Sequence, residues 1–183
     1  MKLQFTWCGC LLALLLSSGA SVAWATIDDH NPGLIRVLSA VDVVPTPAQL
    51  AEVTGKHPER ELYAVALDAS LREYLRSRAT SLLSMYPNST SAVYLEELAK
   101  TVHLRSIRWM AIYTRIRAFA DEAAIQFAQS TLASPDTRTR HAVIRALRWV
   151  PGAAASNALT AQLERETDKR LRKTILRMLR LRQ

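Results

Sequence analysis

Arginine is the residue with the most chemistry to offer in this chain. The segment DTRTRHAVIRALRWVPG, residues 136–152, holds Arg138, Arg140, Arg145 and Arg148, with His141 and Trp149 among them. A guanidinium fork binds carboxylates and phosphates bidentately, and a neighbouring indole offers a stacking face. That chemistry is recognition of an anion. Groups for bond-making are not arranged for it. The sequence has no GxSxG elbow, no HExxH or other paired-histidine metal spacing, and no phosphate-cradling loop among its five glycines. His30, His57, His103 and His141 fall in different elements. Glu96 and Glu97 are neighbours that diverge on a helix, and Glu59 and Glu61 sit near a helix start, where acidic groups favour the dipole. Asn88-Ser89-Thr90 has the form of a glycosylation acceptor, which matters only in a eukaryotic source. The expectation is a non-catalytic protein with no cofactor and no metal.

The charge is divided unevenly. The chain carries 24 Lys+Arg against 16 Asp+Glu. From Thr26 to Lys100 there are 7 basic and 10 acidic residues; from Thr101 to Gln183 there are 16 basic and 6 acidic. Such asymmetry either draws an anionic partner to the C-terminal half or marks a solvated helix face that uses arginine.

Residues 1–25 are expected to be a signal peptide. Lys2 supplies a positive start, CLLALLL an apolar centre, and Ala23 and Ala25 a small-x-small cleavage pattern, so the mature chain would begin at Thr26. The apolar run is short for a membrane span, which needs about 20 residues; an uncleaved anchor is the alternative. Both cysteines, Cys8 and Cys10, lie in this segment, so the mature chain would have neither a disulfide nor a thiolate ligand. Export to the periplasm or the exterior follows as an expectation. The remaining length suits a single domain able to bury a sizeable core, with TIDDHNPG as the one stretch that resembles a disordered tail.

The elements that must position the arginines are helices throughout. Thr46 before Pro47 should cap PAQLAEVTG, which stops at Gly55; His57-Pro58 opens ERELYAVAL; Ser134 before Pro135 should cap the arginine-rich segment. Pro87-Asn88, Pro151-Gly152 and Thr167-Asp168 are breaks. The segments LRSR, LRSIR, DTRTR and DKRLR end on Arg78, Arg108, Arg140 and Arg172, at intervals of 30, 32 and 32 residues. Leu82, Ile112, Ile144 and Leu176 follow each arginine by four places. A period in this range is the mark of a helical solenoid, in which each unit buries its apolar face only by stacking on its neighbours.

The stretch LASPDTRTRHAVIRALRWVPGAAASNALTAQLERETDKRLRKTILRML, with its recurring Asp, Arg, Ala and Leu, resembles HEAT repeats of the short bacterial kind. The resemblance extends from Ala66 to the C-terminus. It implies an all-α, right-handed α-solenoid of antiparallel helix pairs, armadillo-like, with about three to four units over residues 66–183. Residues 26–65 would form a cap or a diverged repeat.

On a helix of 100° per residue centred on Val143, residues Ala146, Leu147 and Val150 fall within about 60° and make the buried stripe. Arg140 sits at its edge, as Arg172 does beside Leu171, Ile175, Met178 and Leu179 in the last helix. These two arginines, with Arg78 and Arg108, are expected to be structural. Asp136 and Asp168, four residues ahead of Arg140 and Arg172, would pair with them, cap the helices or reach a neighbouring repeat. Arg138, Arg145 and Arg148 point the other way, as do Arg170, Lys173, Arg177 and Arg180; these seven are the candidate partner-binding residues. Trp109 and Trp149 are expected to pack between helices rather than stack on a ligand.

Two functions fit these observations, and a third does not. The resemblance implies a scaffold or adaptor that binds another protein, and the basic face suits an acidic one. A second reading is an anionic polymer or membrane surface bound through the same face, with nucleic acid disfavoured by export. Some HEAT-like families are catalytic, but none of their catalytic residues maps onto this chain.

Overall fold

The computed structural model describes residues 30–182. The expected signal peptide, with Cys8 and Cys10, lies outside the described residues. Ten α-helices and one 3-10 turn make up the described chain. They are α1 (Pro32–Ser39), α2 (Pro47–Thr54), α3 (Pro58–Leu67), α4 (Glu73–Leu82), α5 (Ser89–Thr101), α6 (Arg105–Phe119), α7 (Glu122–Leu132), α8 (Thr137–Leu147), α9 (Ala153–Arg165) and α10 (Lys169–Arg180). There is no strand among the described residues.

The local sequence explains most of these boundaries. Thr46 and Gln49 form a reciprocal capping box around Pro47, and Gly55 closes α2 at φ +76°, a conformation open to glycine. Asn31, Asn88, Asp121, Asp136 and Asp168 each accept backbone N–H bonds at the start of a helix. The cap of α8 is therefore Asp136; Ser134 instead accepts a bond from the Asp136 N–H. The TIDDHNPG stretch is ordered where it is described. His30 is buried and meets Asp68 at 2.8 Å, while Asn31 caps α1 and donates to the Val53 carbonyl.

The helices stack as antiparallel pairs α3–α4, α5–α6, α7–α8 and α9–α10. In one layer α4 packs on α6, α6 on α8 and α8 on α10; in the other, α3 packs on α5 and α7 on α9. At the N-terminal end α1 lies against α4, and α2 against α3. This is the expected all-α solenoid. The division drawn between residues 65 and 66 falls inside α3, which pairs fully with α4.

The second-layer helices begin at Glu73, Arg105, Thr137 and Lys169, an unbroken interval of 32 residues. The interval puts equivalent positions in equivalent surroundings. Ala79, Ala111, Val143 and Ile175 are all fully buried. The core forms two clusters. One runs from Leu34 to Ala111, the other from Ile112 to Met178, and Ala99 of α5 touches both.

Candidate partner-binding surface

The same register sorts the arginines. Four residues after each second-layer helix cap stand Arg76, Arg108, Arg140 and Arg172. The repeat arginine of the first unit is thus Arg76, not Arg78. Arg76 is buried and donates to the Ala66 and Leu67 carbonyls at the end of α3, at 3.0 and 3.4 Å. Arg140 donates to the Ser134 and Pro135 carbonyls, both at 3.0 Å. Arg172 does the same to the Glu166 carbonyl at 3.0 Å and to that of Leu163. A cation beside the open carbonyls of a helix end offsets the negative pole there and fastens the pair. Arg108 departs from this: its Nη2 lies 3.9 Å from Asp136 of the next unit. Arg78 has a separate structural task. It donates to the Val41 and Val43 carbonyls and to the Tyr74 hydroxyl, tying the α1–α2 loop to α4.

Asp136 and Asp168 act as caps and make no ion pair with the arginines four residues on. Asp136 accepts from the N–H groups of Arg138 and Thr139 and from the Thr139 hydroxyl, which leads the effects holding its carboxyl below the usual range. The carboxylate that Arg140 takes is Glu166, in the α9–α10 turn of the following unit. Glu166 is only 4% exposed. Its two oxygens accept from Arg140 Nε and Nη2 at 2.9 Å each, from Gln162 Nε2 at 2.8 Å and from the Asp168 N–H at 3.0 Å. The Arg140 bonds, more than any other contact, push the Glu166 pKa down to about 2, against the opposing cost of burial. Arg115 of α6 is a second buried clasp, bonded to Glu96 at 2.9 Å and Asp121 at 3.1 Å with its guanidinium over Phe119. Glu166 and Arg115 were not singled out by the sequence. The charged partners that bury them, Arg140 for Glu166 and Glu96 for Arg115, are 26 and 19 residues away on other helices, and no local spacing points to those pairs.

The outward set is placed differently. Arg138, Arg145 and Arg148 on and just after α8, and Arg170, Lys173, Arg177 and Arg180 on α10, are all exposed. None of the seven enters an ion pair among the described residues. Arg148 lies over Trp149, with its guanidinium carbon 5.2 Å from the ring centroid, and Arg117 of α6 lies 5.4 Å from the same indole. Trp149 is 53% exposed, so it is a surface group flanked by cations rather than the inter-helix packing residue expected. Trp109 is half-buried in α6. His141 lies between these cations; burial first, and Arg145 second, lower its pKa.

Among the described residues no group of three or more His, Cys, Asp or Glu could hold a metal ion, and no helix is long and apolar enough to cross a membrane. What the geometry defines is a helical-repeat protein with a cationic outer surface on its C-terminal units. Within that class, residues 95–180 match the family model for HEAT repeats. The match spans α6 to α10 and the latter part of α5, the units whose second helices include both Asp-capped ones. The chain has no match among curated proteins.

Proposed function

We propose that this protein is a non-catalytic scaffold that binds a protein partner carrying an acidic surface, through the cations of α8 and α10. The observation that supports it is the contrast between two populations of arginine in one register. Arg76, Arg115, Arg140 and Arg172 are committed to carbonyls and carboxylates of the fold itself. The seven outward cations have no such commitment. Trp149, between Arg117 and Arg148, adds an aromatic anchor of the kind that concentrates binding energy at protein interfaces. Export through residues 1–25 would place this surface in the cell envelope or outside, where acidic envelope proteins are the matching class.

The test is capture from an envelope extract by the mature chain. A variant with Arg138, Arg145, Arg148, Arg170, Lys173, Arg177 and Arg180 changed to Gln is run beside it, and circular dichroism checks both for folding. A discrete protein held by the parent and lost by the variant, with binding that weakens as salt rises, supports the reading. Capture unchanged by the seven substitutions removes the strip from the mechanism.

A further inference from the structure

The repeat register exposes a position whose partner is not among the described helices. Eight residues after each second-layer cap stand Thr80, Ile112, Ile144 and Leu176. The first three are at most 1% exposed, whereas Leu176 is 43% exposed. Each of the three lies on a helix that the next unit covers; no described helix lies beyond α10. Arg172 stands one turn from Leu176 on the same helix, and unlike the buried Arg76, which also bonds only carbonyls of its own unit, it is exposed. Its counterpart Arg140 takes a carboxylate from the next unit, Glu166, while Arg172 is exposed and bonds carbonyls of its own unit alone. A shallow furrow runs along this helix, lined by Arg170, Lys173, Leu176, Arg177, Arg180 and Leu181. Two exposed leucines therefore stand among four exposed cations. On α9, Asn157, Thr160 and Glu164 are exposed, so the exposed leucines of this unit belong to α10 and its end.

We propose that the uncovered face of α10, centred on Leu176 and Arg172, docks an acidic amphipathic helix of a partner protein, which seats there as a further repeat would. The inference rests on the protein-binding reading above and names the partner's chemistry. Charge and shape specify the occupant. It lays an apolar stripe over Leu176 and offers carboxylates to Arg172 and the flanking cations, the two services that α9, α10 and their turn perform for α8. A second copy of the chain brings the same cationic face and repels it. A lipid surface satisfies the charges without the helical register.

The probe is a synthetic helix of about five turns, with leucines at i, i+4 and i+7 and glutamates on both flanks, titrated against the full chain. Beside it run polyglutamate of equal charge and phosphatidylglycerol vesicles. The protein variants are Leu176→Asn, Arg172→Gln and a triple α8 variant, Arg138→Gln with Arg145→Gln and Arg148→Gln. Leu176 and the three α8 arginines are exposed and their side chains hydrogen-bond nothing among the described residues, so Leu176→Asn and the α8 triple are expected to keep the parent's melting temperature. Arg172→Gln gives up its bonds to the Leu163 and Glu166 carbonyls and melts lower, so its binding is measured well below its own melting temperature. The expected result is saturable binding of the leucine–glutamate helix, weakened by about fivefold or more in Leu176→Asn and in Arg172→Gln but by less than about twofold in the α8 triple. Equal binding of polyglutamate, no binding of the helix, or indifference to Leu176→Asn overturns the proposal. So does vesicle binding that needs Leu176 while helix binding does not, or self-association through Leu176. Loss in the α8 triple alone retains the cationic strip as the partner surface and eliminates the α10 end. Loss in Leu176→Asn, with the α8 triple still capturing the envelope partner, does the reverse.

Discussion

Breaking the Arg140–Glu166 pair is the perturbation that most directly probes how the units are fastened. Glu166 gives up nearly all contact with water and receives four hydrogen bonds, two of them from one guanidinium. Its pKa falls from 4.5 to about 2, a shift that amounts to ~3 kcal/mol favouring the charged form in the folded state. Removing one partner of a buried pair costs about 3–5 kcal/mol by an independent route, because it strands the other charge. Glu166→Ala and Arg140→Ala should each lower unfolding free energy by ~3 kcal/mol, and the double variant by about 2 kcal/mol less than the sum. Urea unfolding at pH 7 of the parent and the three variants measures this. The sign with pH follows from the depressed pKa. The stabilisation is fully present above about pH 4.5 and is lost as pH falls towards 2, so the gap between parent and Glu166→Gln should close over that window. A cost below about 1 kcal/mol for Glu166→Ala, or single effects that simply add, would refute the claim that this pair fastens the last two units.

Arg76→Ala should cost about 2 kcal/mol through two lost charge-assisted bonds to the end of α3. Arg78→Ala should instead cost under about 1 kcal/mol and speed amide exchange in the α1–α2 loop. Asp168→Ala should destabilise by ~1 kcal/mol while Asp168→Asn stays close to the parent, because asparagine still caps; thermal melts separate the two. Ala120 ends α6 at φ +47°, a conformation that strains any residue with a Cβ. Ala120→Gly should therefore raise stability by about 0.5–1 kcal/mol, and a fall in denaturation midpoint would contradict the assignment.

Much of this solenoid can be seen in its sequence because arginine and aspartate recur at helix starts, where both have local work to do. The helix α2, with its box at Thr46 and Gln49, is legible for the same reason. The first unit misleads because its α4 lacks an aspartate cap, beginning after Arg72 instead, and because LRSR offers two arginines two residues apart. Only the one aimed at the end of α3 keeps the period, and aim is a property of the folded pair. Glu166 is hidden for a different reason: acidic residues in turns are ordinary, and this one differs only through a partner on another unit. Trp149 was expected to pack between helices because a solenoid's inter-helix groove commonly fills positions at the edge of the buried stripe. It stands past the end of α8, beside the buried Val150, and its ring lies at the surface between Arg117 and Arg148, a placement set by α6 that no local pattern shows.

The sharing of α6 between the two apolar clusters has a consequence for how the molecule loses its structure. This helix contributes Ile107 and Ala111 to one cluster and Ile112 and Ile116 to the other. A linear stack of units ordinarily opens from its ends inward, with each neighbour interface adding its own increment of protection. Here neither cluster can dissolve without unburying one side of α6, so the two halves are joined into one cooperative event at that helix. Its amides should be the last to exchange with solvent, at the rate set by complete unfolding. Those of α1 and α10 should exchange through partial openings that leave the middle intact.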